Sequence, residues 1–346
     1  MKIKKLLLLL IILSLTGCYD VKELNNIAIL TATEIDKIND EFIINAQVVN
    51  PQAPDKTTNI ESPFFIYTGK GKTIQEAYRQ IKLSSSRYLY PEHLQILIIN
   101  ENIAKNDITE ILDFYLRDPS IRTEFNILVS KSKNILSITT PIDQISSSSI
   151  LDTIKTNTTY LGTSNLITLN ELAIMLLNPN TEVILPTIQI KNKDKVSDST
   201  KNTDETQVDS MYELSGLAIF KENKLKGYLT NDESITYNLI KNNIENSIIT
   251  YECEKNKYLT TEIISSKSKI SVNDNIKINI NINATINEST CNIKLNNQEN
   301  IKKIENELEL YLKNKVNTDI NNIRNNYNSD VFGFLDELYK HNYKKY

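Results

Sequence analysis

Gly71-Lys72-Thr73 stands in the stretch TGKGKTIQEA, just ahead of a helical pattern. A glycine, a lysine and a hydroxyl at this spacing close a phosphate-binding loop, whose backbone N–H groups curl round the anion. Such a loop needs another glycine five positions earlier. That position is Ile66, inside the apolar run PFFIYT, and a β-branched residue does not readily take the positive φ of a glycine. The expected role of Gly69, Gly71 and Thr73 is therefore structural: they end a strand and start a helix. Three cysteines and two histidines at scattered positions make no metal site of recognisable spacing. His93, beside Pro91 and Glu92 at the expected start of a strand, reads as a structural residue. Arg117 and Asp118 end a helix before Pro119. A cation there suits the helix dipole, a local surface ion pair is worth little, and a role in subunit contact stays open. No G-x-S-x-G is present. Spacing alone names no catalytic, cofactor-binding or metal-ligating residue.

Cys18 is the residue with a definite chemistry. MKIKK is a short basic start, LLLLLIILSL is apolar, and TGC follows. This is the order of a secretory signal peptide, and the apolar run is shorter than the roughly 20 residues of a membrane-spanning helix. Leu15-Thr16-Gly17-Cys18 has the form of a lipobox, in which the cysteine takes a diacylglycerol and becomes the first residue of the mature chain. Two acyl chains anchor stably where one is marginal. Cleavage after residue 17 removes Lys2, Lys4 and Lys5, so the net charge moves from −4 to −7. A mildly acidic chain with scattered charge lacks the clustered basic surface of a nucleic-acid binder. Cys253 and Cys291 remain. Two readings are open for them: a disulfide, suited to an oxidising compartment, or two separate thiols. The chain holds 44 Asn and no Trp, a composition that fits AT-rich codons.

The periodicity then lays out the elements. Residues 26–36 and 41–49 read as strands joined by the turn KIND, and 62–68 as a third. Thr73 and Glu76 have capping-box spacing, with Ile74, Ala77, Tyr78 and Ile81 on one helical face. Residues 93–100 and 122–130 read as strands. Between them 107–119 is a helix with Ile108, Ile111, Leu112, Tyr115 and Leu116 on its apolar face. Helical patterns follow around 142–155 and 167–177, then a strand at 181–190. Residues 191–210 are too polar to offset their ordering entropy and read as a flexible loop or linker. Residues 211–220 and 224–230 form a hairpin, and Thr230 and Glu233 a second capping box. Strands are expected at 258–272, 276–283 and 291–296, with Ile276, Ile278, Ile280 and Ile282 alternating between a buried and a wet face. A long amphipathic helix runs over 301–327. The expected fold class is α+β: an N-terminal sheet with packed helices at 18–190, and a mainly antiparallel C-terminal sheet with the long helix at 211–346, divisible at 255/256.

One stretch has a familiar order. Gly71-Lys72-Thr73, Arg87-Tyr88-Leu89-Tyr90, His93-Leu94, Leu116-Arg117-Asp118-Pro119 and Ile121-Arg122 follow one another within 69–122. The chain here resembles the Ger(x)C spore germination lipoproteins, the C subunits of Ger-type nutrient germinant receptors. CYDVKELN is similar to the family's start, with Tyr19 in place of the usual Trp; LSGLAIFKENKLKGYLT and SDVFGF match its later segments. The resemblance spans nearly the whole mature chain.

It implies an α+β protein of several small domains, without known catalysis. It also implies a place on the outer surface of the spore's inner membrane, held to the lipid bilayer through Cys18 beside receptor A and B membrane subunits. The competing reading is a solute-binding lipoprotein of a transport system, against which stand the absence of a two-lobed repeat and the seven glycines.

Overall fold

A computed structural model describes residues 23, 26–49, 62–138, 140, 145–191, 211–272, 275–341 and 343. The expected signal peptide, Cys18 and residues 192–210 of the expected linker at 191–210 lie outside the described residues.

β1 (Ile27–Ile38) and β2 (Glu41–Val49) form the expected hairpin. Asn39 and Asp40 turn it with φ of 52° and 61°, a left-handed pair that Asn and Asp tolerate best among residues with a side chain. β3 (Phe64–Gly71) pairs antiparallel with β2. It runs through Gly69 and Gly71 rather than ending before them, because helix α1 (Ile74–Ile81) folds back onto it. A Cβ on Gly69 would lie 2.0 Å from the Ala77 carbonyl oxygen, and one on Gly71 2.6 Å from the Ala77 nitrogen. The glycines let the strand touch the helix backbone. Gly69→Ala is expected to destabilise the protein by about 2 kcal/mol, since the obstacle is backbone and cannot rotate away; urea unfolding followed by far-UV circular dichroism checks this.

β4 (Tyr88–Tyr90) and β5 (Ile96–Asn100) each lie parallel to β1. Helices α2 (Glu101–Ala104) and α3 (Thr109–Arg117) lead to β6 (Asn126–Ser130). Helices α4 (Ser146–Tyr160) and α5 (Leu169–Leu177) lead to β7 (Ile184–Lys191). β8 (Met211–Lys221) and β9 (Lys224–Tyr228) extend the same sheet: β7 pairs with β8 from Ile184 against Ile219 to Lys191 against Met211. The first sheet therefore continues beyond residue 210. Among the described residues its order is β3-β2-β1-β5-β6-β7-β8-β9, with β4 beside β1.

Both faces of this sheet are covered. In β5 every residue is buried. Leu97 and Ile99 join α1, α3 and α5 in one core, while Ile96 and Ile98 meet α4 in another. A central parallel strand covered on both sides reads as an unbroken apolar run, as ILIIN does. Pro91–His93 is a single 3-10 turn ahead of β5, so His93 and Leu94 are not in the strand.

Helix α6 (Asn231–Lys241) starts at a complete capping box of Thr230 and Glu233. β10 (Ser247–Glu254), β11 (Lys257–Val272) and β12 (Ile276–Ser289) make a separate antiparallel sheet. β10 is a strand that the pattern did not reveal. Residues 291–296, expected as a strand, form bends and a turn instead. Cys291 is bonded there to Cys253, with the Cα atoms 6.3 Å apart. α7 (Gln298–Tyr327) is the long helix, and α8 (Phe334–His341) follows.

Side-chain hydrogen bonds fasten α7 and its end to the rest. Thr236 Oγ1 donates to Asp319 Oδ2 at 2.5 Å, Tyr327 Oη donates to the Tyr228 carbonyl at 2.9 Å, and Ser329 Oγ donates to the Phe220 carbonyl at 2.9 Å. The Tyr327 ring fills the space beside Gly227, where a Cβ would come within 2.3 Å. No helix among the described residues is long and apolar enough to cross a membrane.

Candidate functional site

Two of the sequence motifs meet. The start of α1 supplies Lys72, Thr73 and Gln75. The end of α3 supplies Asp113, Phe114, Arg117 and Asp118. With Phe42 from β2 they line an open cleft of about 590 Å³. The walls are set by two tyrosines, Tyr115 buried and Tyr78 half-buried. Tyr78 of α1 shares hydrogen bonds with Thr33 of β1 at 2.7 Å and with Tyr115 of α3 at 3.0 Å. Its ring stacks on Phe114 at 5.6 Å. Burial raises the Tyr78 phenol to about 12 and pushes Tyr115 up as well, so both stay neutral donors. This pair spaces the two helices.

The helix start in the cleft is already satisfied. Thr73 Oγ1 accepts the Glu76 N–H at 3.1 Å, and Glu76 Oε2 accepts the N–H of Lys72 at 2.7 Å. The carboxylate reaches one residue further back than in the usual capping box. It sets a negative charge where a phosphate would sit. Ile66 lies within β3 opposite Gln47. The Gly-Lys-Thr stretch is thus a strand-to-helix joint.

Arg117 and Asp118 do not act as a pair. Arg117 Nε donates to both oxygens of Asp113, at 2.7 and 2.8 Å. Asp118 Oδ1 accepts the Ser120 N–H at 2.9 Å and its hydroxyl at 2.6 Å, which turns the chain at Pro119. Leu116, expected on the apolar face, is 48% exposed at this end of the helix. Lys37 reaches over the Phe42 ring and lies 3.3 Å from Glu110. The cleft is open, of mixed charge and floored by an aromatic ring.

His93 is exposed, its ring 5.9 Å from that of Tyr90. Its neighbour Glu92 lies 3.9 Å from Arg122, so the family-like His-Leu and Ile-Arg motifs also come together. Among the described residues no group of His, Cys, Asp and Glu is placed to hold a metal ion.

Sequence reasoning missed Glu34. It lies in β1, 3% exposed. One oxygen accepts the Asn134 N–H at 2.8 Å, and the other has no partner. Burial raises its pKa from 4.5 to about 7, against the lowering effect of the backbone donors of residues 134–136 and of the Asn45 side chain.

Comparison with known proteins agrees along the chain. A profile for the spore germination protein N-terminal domain matches residues 20–190, and one for the spore germination B3/GerAC-like C-terminal domain matches 215–346. Spore germination protein KC of Bacillus subtilis (strain 168) is 27% identical over 351 residues, covering 96% of this chain and 86% of that protein. Spore germination protein B3 of the same organism is 24% identical over 266 residues, 75% of this chain and 66% of that one. The crystal structure of the GerBC protein has the same fold, with a TM-score of 0.53 and 18% identity over 92% of this chain and 89% of that one. By these matches and by its α+β fold of a large mixed sheet, a small antiparallel sheet and a long C-terminal helix, the chain belongs to the Ger(x)C family of spore germination proteins.

Proposed function

We propose that this protein is the lipid-anchored C subunit of a nutrient germinant receptor, required for spore germination and without catalytic activity of its own. The observation that carries this reading is the family match over residues 20–190 and 215–346. Diacylglycerol on Cys18 holds the chain at the outer surface of the spore inner membrane. Its folded part scaffolds or couples the A and B membrane subunits. The open, mixed-charge cleft at Lys72 and Arg117 fits such a contact.

The test is dipicolinic acid release from spores lacking the gene, over a panel of nutrients, complemented with the wild type or with Cys18→Ala. The expected result is loss of the response to one set of nutrients, restored by the wild type and poorly by Cys18→Ala. Normal germination with every nutrient would overturn the reading.

A further inference from the structure

β12 is an outer strand of the C-terminal sheet. It pairs with β11 from Leu259 against Ser289 to Val272 against Ile276, and no strand among the described residues pairs with its other edge. The strand is 14 residues long. A free edge of that length presents a row of unpaired N–H and C=O groups, which proteins usually blunt with proline, inward-pointing charge or a covering element. β12 has no proline, and isoleucine fills positions 276, 278, 280 and 282 on its inner face.

The cover is also incomplete. α7 seals the β10–β11 side, where Ile249, Leu259 and Ile263 are buried. Toward β12 it stands off and leaves a cleft of about 960 Å³ floored by Ile278, Ile280 and Ile282. These side chains are only half-buried, and Ile276 is 37% exposed. An added strand with apolar residues at every second position would satisfy the edge and close the cleft together.

The charges on the outer face select the occupant. Lys277 lies near one end of β12 and Glu288 near the other, and neither has an ion pair among the described residues. An irregularity in the ladder between Thr260 and Thr261 sets Glu288 opposite Thr260 and Ile286 opposite Thr261. Thr261 is buried, so Ile286 faces inward and Glu288 turns outward, to the side of Lys277. We propose that two copies of the chain join here, β12 against β12 and antiparallel, to make one six-stranded sheet. A two-fold axis at Ile282 sets Ile278 opposite Ile286 of the second copy and Ile280 opposite its Ala284. The same axis sets each Lys277 opposite the other copy's Asn287, next to its outward-turned Glu288. The strand is thus complementary to itself in both shape and charge.

Analytical ultracentrifugation of the full chain purified in detergent tests this. The expected species is a dimer. Lys277→Glu sets like charges together twice and weakens association by about tenfold or more, while adding Glu288→Lys to it restores the dimer. Both changes are exposed, so folding is not at stake. Ile280→Lys, with its circular dichroism checked against the wild type, gives a monomer. A monomer for the wild type at every concentration overturns the proposal, as does a dimer that neither Lys277→Glu nor Ile280→Lys weakens.

Discussion

Reducing the Cys253–Cys291 bridge is expected to lower the stability of the C-terminal sheet and helix by about 4 kcal/mol. The bridge joins residues 38 apart, and in the loop-entropy account a closed loop of that length removes about this much free energy from the unfolded chain. It ties the end of β10 to the segment just past β12, so the three-stranded sheet is clamped at one end. Tyr251, Leu259 and Ile304 pack beneath it, and the Tyr251 hydroxyl donates to Glu307 of α7 at 3.1 Å. Strand, cross-link and helix thus form one small cooperative unit. The large sheet has no cysteine and should be indifferent. Because the chain lacks Trp, tyrosine fluorescence and amide hydrogen exchange are the probes. Exchange from β10 and β11 should rise steeply in reductant, while exchange from β5 and β6 stays unchanged. The double variant Cys253→Ala with Cys291→Ala should match the reduced wild type, since removing two half-buried sulfurs loses little packing. Equal protection of β10 with and without reductant would sink this account.

Local pattern carried much of this fold. The β1–β2 hairpin, the two helix starts at Thr73 and Thr230 and the long helix α7 all follow from short-range chemistry: turn residues, capping hydroxyls and three-four spacing. What the sequence could not show was partnership. β8 and β9 read as a hairpin, yet nothing in MYELSGLAIF says that its edge pairs with β7 across the intervening polar segment. The stretch CNIKLN alternates like a strand, but its cysteine is tied to Cys253 and the chain turns. β10 went unread because its outward face carries Ile248 beside Thr250 and Glu252, which blurs the alternation. The cleft was half legible. Gly-Lys-Thr and Leu-Arg-Asp-Pro each stood out, but their meeting depends on Tyr78 and Tyr115 touching across two helices. The partner of Arg117 was missed because Asp113, one turn back, competes better than the adjacent Asp118, whose carboxylate the Ser120 turn occupies.

Glu34 was illegible for the same reason, and it has the largest expected pH effect. In TATEID it falls where an alternating strand would place an outward residue. β1, however, runs between two covered faces, and almost every position along it is buried. Its carboxyl therefore holds its proton more tightly in the folded chain than in the unfolded one, about 7 against 4.5. Stability from such a group is complete below pH 4.5 and is lost as pH rises through 7. The difference corresponds to about 3 kcal/mol. Ionisation leaves a charge in the core with one oxygen unpartnered, beside the backbone N–H of Asn134, a residue held at a φ of 58°. Glu34→Gln keeps the shape and the accepting oxygen but cannot ionise. The free energy of unfolding should therefore favour the wild type, relative to the variant, progressively less between about pH 4 and pH 8, by about 3 kcal/mol in all. Titrations common to both proteins cancel in the difference. Parallel pH profiles for the two proteins would mean that water or a local rearrangement solvates the carboxylate, and that the β1 core is less closed than its burial suggests.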